Sequence, residues 1–182
     1  MTCVRGEREQ IDAWETTGNE GWNWDIMLPY YKKSEHFEPP TESQLQAGAS
    51  YIPAFRNEDG PVKVGHSYHL LNGSFPETVA ETWQALGLPH NPDVNGGNVR
   101  GFSVWQSMLD RDANVREDAA RSYYYPISGT RPNLQVFLNT TANRIAWKES
   151  AEIVADGVEV MSADGTLSTF KRKRRLLFLL GR

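Results

Sequence analysis

The sequence predicts a mixed α/β fold, with helices concentrated before Pro126 and strands after it. Two patterns carry this prediction. Apolar side chains recur at three- and four-residue spacing in several segments before Pro126, whereas residues 134–170 consist mainly of short apolar runs separated by turn residues. The length of 182 residues suits one ordinary domain or parts of two.

The helical segments have one apolar side each and recognisable ends. They are predicted at residues 7–14, 26–37, 74–86 and 112–125. Asp25 is expected to cap the second helix and the Pro39-Pro40 pair to end it. Ser74 starts the third helix and Gly87 ends it, while Pro126 stops the fourth.

Alternating or short apolar runs predict the strands. These lie at residues 62–64, 102–109, 134–138, 142–147, 154–161 and 166–170. The last two flank Ala163-Asp164-Gly165, and an Asp-Gly pair between apolar runs is typical of a hairpin. Residues 91–101 are rich in Asn and Gly, which indicates an irregular segment.

The chain closes with a basic run at residues 171–175 and an apolar run at residues 176–180. The apolar run predicts a buried strand. Because such strands normally lie inside a covered sheet, we expect further elements after residue 182 and a truncated chain. The basic run is either a signal for the nucleus or for an anionic surface, or the solvated approach to that strand, and the second interpretation is favoured.

Composition and charge exclude several classes of protein. The net charge is −4, but six of the 19 basic residues follow Phe170, so residues 1–170 carry −10. An acidic body argues against a nucleic-acid partner. The longest apolar run is far shorter than the ~20 residues of a membrane span, so no membrane partner is expected. With Cys3 as the only cysteine, a disulfide framework and a multi-cysteine zinc site are excluded within one chain.

A search for catalytic motifs finds none. The four histidines form no His-Glu-x-x-His pattern, and no metal site is predicted. The sequence contains no G-x-S-x-G elbow and no Walker loop, and Gly96, Gly97 and Gly101 do not fit G-x-G-x-x-G. No residue of the chain is therefore assigned a catalytic role.

Five blocks of the sequence are distinctive. They are Met1-Thr2-Cys3-Val4-Arg5-Gly6, a Trp-rich pair at residues 12–15 and 18–25, Val115-Arg116-Glu117-Asp118-Ala119-Ala120-Arg121, Arg131-Pro132-Asn133-Leu134-Gln135-Val136 and Gly157-Val158-Glu159-Val160. Together and in this order they resemble segments of the glucose-methanol-choline (GMC) oxidoreductases. The resemblance is greatest to the fungal glucose-oxidase-like and alcohol-oxidase-like members.

The resemblance implies a fold and a function. The fold is a partial FAD-binding Rossmann-like domain with part of a substrate-binding domain. Residues 1–55 would form a flavin-side segment with connecting helices, residues 56–92 part of the substrate-binding domain, and residues 93–182 an incomplete part of the FAD-binding domain. The implied reaction is oxidation of a CH–OH group of a small alcohol or sugar by hydride transfer to FAD.

Two cofactor-binding residues follow from the resemblance. Thr2 matches a threonine that lies beside the flavin. Ala142 matches a position, usually valine, whose backbone contacts the adenine end of FAD. The family's pyrophosphate-binding turn and catalytic histidine lie outside this chain, so the chain alone is expected to give no turnover.

Two alternatives and the compartment of the protein remain open. The six tryptophans could line a non-catalytic sugar- or partner-binding module, although we expect them in the core. The chain could also be an unstable truncated product. Its compartment is open: the N-terminus has no signal-peptide pattern, but the resemblance and two sequons, at Asn72 and Asn139, are compatible with secretion.

Overall fold

The computed structural model describes residues 1–70 and 73–171, and the chain forms two compact units, Met1–Arg131 and Pro132–Arg182. The mixed α/β class is confirmed. The Asn72 sequon, the apolar run at residues 176–180 and all but the first residue of the basic run lie outside the described residues. The three-segment division into flavin-side and substrate-side parts stays a prediction.

The first unit opens with two helices, α1 (Arg8–Thr16) and α2 (Trp24–Ser34). The cap of α2 is Asn23, whose side-chain oxygen accepts a hydrogen bond from the Ile26 N–H at 3.1 Å. The prediction of Asp25 as the cap is wrong. Asn23 has the extended backbone that an N-cap needs, whereas Asp25 already lies inside the first helical turn.

The helix α2 ends at Ser34 and not at the Pro39-Pro40 pair. It is followed directly by strand β1 (Glu35–Phe37), which pairs in parallel with β2 (Val62–Gly65). Glu35 and Phe37 are both buried. A strand places residues two apart on the same face and a helix does not, so burying both side chains requires the extended form.

A four-stranded sheet in the order β1-β2-β3-β4 forms the centre of this unit. Strands β3 (Ser107–Asp110) and β4 (Val115–Arg116) pair antiparallel with their neighbours. The strand predicted at 102–109 is therefore confirmed only in its second half. The buried apolar cluster beside the sheet consists of Cys3, Phe37 and Val64, with Tyr51, Val62 and Met108 packed against it.

Two further helices lie between the strands. Helix α3 (Glu42–Gln46) starts with a capping box between Thr41 and Gln44. Helix α4 (Ser74–Ala85) confirms the predicted helix, with Gly73 as its cap and Gly87 at a left-handed φ of 84° just after its end. Among the described residues, no helix has the length and apolar character needed to cross a membrane.

The helix predicted at 112–125 is wrong in its first half. Asn114 takes a left-handed φ of 52°, and the chain then forms β4 instead of a helical turn. A π-helical turn (Ala120–Tyr124) and helix α5 (Tyr125–Ser128) follow. Pro126 lies in the first turn of α5, where its missing N–H costs nothing, so it starts this helix instead of stopping one.

The second unit is an antiparallel sheet of three strands in the order β5-β6-β7. Strands β5 (Thr140–Trp147), β6 (Ala155–Ser162) and β7 (Leu167–Lys171) confirm three predictions, and Gly165 at φ 84° makes the predicted hairpin turn. The strand predicted at 134–138 is wrong. Its residues are exposed and pair with no strand in the described part of the chain.

The tryptophans are mostly exposed, contrary to the expectation that they form the core. Trp24 is buried, with 2% of its surface exposed, while the other five are each more than 40% exposed. Trp14 and Trp22 pack against each other with ring centroids 5.7 Å apart. The helix α1 buries no residue, which leaves Trp14 on a surface.

Candidate functional site

The N-terminal segment, residues 1–5, runs beside β3 and places Thr2 opposite Ser107. The Cys3 N–H donates to the Gln106 carbonyl at 2.9 Å, and the Met108 N–H donates to the Met1 carbonyl at 2.8 Å. Thr2 lies between these bonds in a non-hydrogen-bonded pair, so its own N–H and C=O point away from β3. They have no hydrogen-bond partner among the described residues.

Burial alternates along this segment, as expected for an extended chain. Cys3 and Arg5 are buried, while Thr2 and Val4 are exposed. Thr2 therefore has its side chain on the exposed face of the segment and its peptide N–H and C=O on the edge away from β3. A ligand where that face meets that edge could receive hydrogen bonds from the hydroxyl and from the N–H.

A buried network of four charged side chains holds the segment. The Arg5 guanidinium donates to Glu35 Oε2 at 3.0 Å and to the Phe55 carbonyl at 2.7 Å. Arg56 donates to Glu35 Oε1 at 2.8 Å and binds Asp93 through two nitrogens. Two cations and two anions thus balance each other out of water, which is the condition for burying such groups.

Burial also changes the proton affinities in this network. Desolvation lowers the pKa of Arg5 from its ordinary value, and the Glu35 carboxylate opposes that shift. Desolvation, followed by the charge of Glu35, raises the pKa of the Cys3 thiol. Cys3 is therefore held in the neutral form and has a structural role, since the thiolate is the reactive form.

Ala142 lies in strand β5 of the second unit, opposite Val160 of β6. The register shifts directly after it, between Ala142 and Arg144, so Asn143 is an extra residue in a bulge. A bulge releases backbone groups from the ladder next to Ala142, and the prediction for this residue concerns its backbone. Thr2 and Ala142 belong to different units.

A large groove in the first unit lies apart from Thr2. It has a volume of about 1220 Å³ and is lined by α4, residues 45–50 and residues 102–104. Its aromatic lining includes Phe75, Trp83 and Phe102, with the Ser103 hydroxyl buried and without a partner in the described part of the chain. A mostly apolar cavity with a few polar groups is typical of small-molecule sites.

Sequence reasoning alone did not find the residues of the charge network. Arg5 and Glu35 are 30 residues apart, and Arg56 and Asp93 are 37 apart. Glu35 also lies in residues 26–37, for which the sequence predicted a helix, so its place in a buried strand was not predicted. Among residues 1–70 and 73–171, no group of three or more His, Cys, Asp or Glu side chains is arranged to hold a metal ion.

The chain is similar to known proteins over nearly its whole length. Residues 1–181 match the family model described as GMC oxidoreductase. The chain is 45% identical over 185 residues to the glucose oxidase-like protein fsoC of Humicola fuscoatra, which covers 100% of this chain and 31% of that protein. It is 34% identical over 150 residues to a glucose oxidase of Penicillium chrysogenum, which covers 81% of this chain and 24% of that protein.

Among solved structures, an FAD-dependent oxidoreductase from Chaetomium thermophilum matches 95% of this chain with a TM-score of 0.87 and 29% identity. The match covers 29% of that structure's chain. The present chain thus spans less than a third of the length of each of these three proteins.

Proposed function

The chain belongs to the glucose-methanol-choline (GMC) oxidoreductases, and from this premise we propose that it supplies flavin contacts in an enzyme that oxidises a CH–OH group of an alcohol or sugar. When bound, FAD would supply the chemistry by accepting the hydride from the substrate carbon. The glucose oxidase among the relatives favours a sugar as the substrate class. The family resemblance indicated by the five sequence blocks is confirmed.

The observation that carries the proposal is the presentation of Thr2. Its hydroxyl, on an exposed face, and its peptide N–H, on the edge away from β3, are both hydrogen-bond donors. The ring edge of a flavin carries carbonyl oxygens and ring nitrogens that accept such bonds, so the donors fit this group. Because Arg5 fixes the segment from the buried side, Thr2 is positioned before the cofactor binds.

Ala142 would act at the other end of the cofactor. Its part is a backbone contact with the adenine, for which the identity of the side chain matters little. The bulge after Ala142 supports this role, since it leaves a peptide group outside the ladder.

The two halves of FAD separate the two assignments experimentally. Alanine and threonine methyl groups of the purified chain are labelled with ¹³C, and riboflavin and AMP are added separately. We expect riboflavin to move the Thr2 methyl signal and AMP to move the Ala142 methyl signal. Shifts at other residues only, or no binding of riboflavin, AMP or FAD, would contradict the proposal.

A pair of variants sharpens this test. Thr2→Val removes the hydroxyl with little change of shape and should weaken riboflavin binding about tenfold, the effect of one lost hydrogen bond, without changing AMP binding. Thr78→Val is the matched control, because Thr78 is an exposed threonine of α4. It should leave both affinities unchanged.

A second candidate function is supported by the aromatic groove. Trp83, Phe75 and Phe102 line it, and aromatic faces bind the apolar faces of sugars. A non-catalytic sugar-binding module would bind sugar without any affinity for flavin. Calorimetry with a panel of sugars, with Trp83→Ala against the exposed Trp147→Ala, tests for sugar binding in the groove. Sugar binding without binding of riboflavin or FAD distinguishes this candidate from the first.

A further inference from the structure

The fully buried side chain of Asn95 bridges two peptide groups of the N-terminal segment. Its Oδ1 accepts a hydrogen bond from the Arg5 N–H at 2.8 Å, and its Nδ2 donates to the Cys3 carbonyl at 3.1 Å. Both bonds cross 90 or more residues of sequence. The carboxamide therefore ties the first residues of the chain to the loop at residues 91–101.

The two bonds from Asn95 take the place of hydrogen bonds that a neighbouring strand would make to the backbone of Cys3 and Arg5. The Cys3 N–H still pairs with the carbonyl of Gln106, the residue just before β3. In a continued ladder the Cys3 carbonyl would accept from the Gln106 N–H, but here it accepts from Asn95. The Gln106 side chain completes the junction, because its Oε1 also accepts from Asn95 Nδ2 at 3.2 Å.

Asn95 is itself held in place by the charge network. Its N–H donates to Asp93 Oδ1 at 3.0 Å, and its carbonyl accepts from Arg5 Nη1 at 3.2 Å. Asp93 is bound in turn by Arg56. Asn95 is thus fixed by hydrogen bonds to both its main chain and its side chain. It therefore has little freedom to follow residues 1–5 if they move.

One edge of residues 3–5 is consequently saturated. The Cys3 N–H donates to the Gln106 carbonyl, and the Cys3 carbonyl accepts from Asn95 Nδ2. The Arg5 N–H donates to Asn95 Oδ1. The polar backbone groups of Thr2 and Val4 lie on the opposite edge, because successive residues of an extended chain alternate. Asn95 therefore sets, together with the two bonds to β3, the direction in which Thr2 presents its peptide groups.

We propose that Asn95 is the positioning residue that fixes Thr2 toward the flavin. This inference rests on the proposed function, since Asn95 reaches the cofactor only through Thr2. Loss of the carboxamide would free residues 3–5 to leave the edge of the sheet. Thr2 would then have to be ordered at the moment of flavin binding, which weakens affinity.

Hydrogen exchange tests the positioning without any cofactor. In Asn95→Ala, the Arg5 amide should exchange on the order of 100-fold faster than in the unaltered chain, because its acceptor is gone. Asn98→Ala is the matched control. Asn98 lies in the same loop and its side chain accepts a hydrogen bond from the Arg100 N–H, but among the described residues that side chain has no hydrogen bond to residues 1–5 or to Asp93. It should leave the Arg5 amide protected.

Asn95→Asp is the second variant, for the case in which the alanine variant does not fold. It keeps an acceptor for the Arg5 N–H and loses the donor to the Cys3 carbonyl. The Arg5 amide should then stay partly protected. As pH falls and the new carboxyl gains a proton, the donor returns, and both the protection and the riboflavin affinity should recover toward those of the unaltered chain.

Riboflavin binding gives the second measurement. At neutral pH the Asn95 variants should bind riboflavin about tenfold more weakly and AMP with unchanged affinity, while Asn98→Ala should bind both normally. If the Asn95 variants bind riboflavin at neutral pH as Asn98→Ala does, or if Asn95→Ala leaves the Arg5 amide protected, the positioning role is overturned and the proposed function stands. If the unaltered chain binds no riboflavin, AMP or FAD, the proposed function fails, and the flavin role of Asn95 fails with it.

Discussion

Glu35 Oε1 accepts a hydrogen bond from Arg56 Nη1 at 2.8 Å, and both side chains are only 3% exposed. The other oxygen of Glu35 holds Arg5. One carboxylate therefore connects the segment that carries Thr2 to the residue that binds Asp93, on the loop of Asn95. The stability of the first unit and the placement of its candidate site depend on the same group.

Removing the charge of Glu35 should be costly. Glu35→Gln leaves Arg5 and Arg56 buried with Asp93 as their remaining anion, and breaking a buried pair in this way destabilises by about 3–5 kcal/mol. Urea unfolding followed by tryptophan fluorescence measures the change in the free energy of unfolding of the first unit, which contains Trp24.

The control for this variant is Asp25→Asn. Asp25 pairs with Arg8 on the surface of the same unit, and both side chains are largely exposed. Such a pair contributes less than about 1 kcal/mol. Equal losses for the two variants would contradict the structural role given to Glu35.

The buried His66 predicts a loss of stability in mild acid. Its Nε2 lies 3.2 Å from the Val104 carbonyl, and its Nδ1 is buried without a partner in the part of the chain described. Desolvation lowers the pKa of His66 below its ordinary value. The unfolded chain therefore binds this proton first as pH falls. The stabilising effect of neutral His66 is complete above about pH 6.5 and is lost progressively below it, toward the lower folded-state pKa.

His66→Gln should remove this dependence. The free energy of unfolding is measured at several pH values between about 7.5 and 5, above the range in which most carboxylates titrate. Val64→Ala is the control, since it damages the same sheet without removing a titrating group. It should lower stability equally at each pH and keep the slope. A slope unchanged in His66→Gln would show that another group is responsible.

Cys3 should be nearly inert in the folded chain. Its thiol is buried and its pKa is raised, so both access and the thiolate fraction are low. We expect alkylation by iodoacetamide to be on the order of 100-fold slower in the folded chain than in urea, because the reagent must wait for local opening. A folded-state rate within a few-fold of the unfolded rate would mean that residues 1–5 do not stay beside β3.

Local patterns in the sequence were enough to predict some of these elements. Helix α4 and the hairpin at Gly165 have their signals within a few residues of one another, and both are confirmed. The sequence did not predict strand β1, because the extended backbone at Glu35 depends on distant contacts. These are the ion pairs with Arg5 and Arg56 and the pairing with strand β2. No local pattern carries that information.

The residues of the candidate site also fall into those that the sequence indicated and those that only the structure shows. Thr2 and Ala142 came from resemblance to a family and stay predictions as cofactor contacts. Asn95 and Asp93 act on residues 90 and 37 positions away, and their loop looks in the sequence like any turn rich in Asn and Gly. Only a three-dimensional structure brings them to the N-terminal segment.

Gly101 offers a last test, of the loop that carries Asn95. Its φ is 103°, a left-handed value that favours glycine, and a Cβ atom there would collide with the Pro89 carbonyl oxygen and press on Asn91 at 3.3 Å. Gly101→Ala should therefore cost about 2 kcal/mol or more, from backbone strain and from displacement of the loop. Gly129→Ala is the matched control, because Gly129 has a helical φ of −84° and open space around its Cα. That variant should be neutral or stabilise by up to about 1 kcal/mol.

Because Asn91 and Asn95 share the loop, Gly101→Ala should also speed exchange of the Arg5 amide, as Asn95→Ala does. The contrary result is a destabilised Gly101→Ala variant in which the Arg5 amide stays protected. The loop at residues 91–101 could then shift without releasing residues 1–5. In that case Asn95 would move with the N-terminal segment and would not hold it in place.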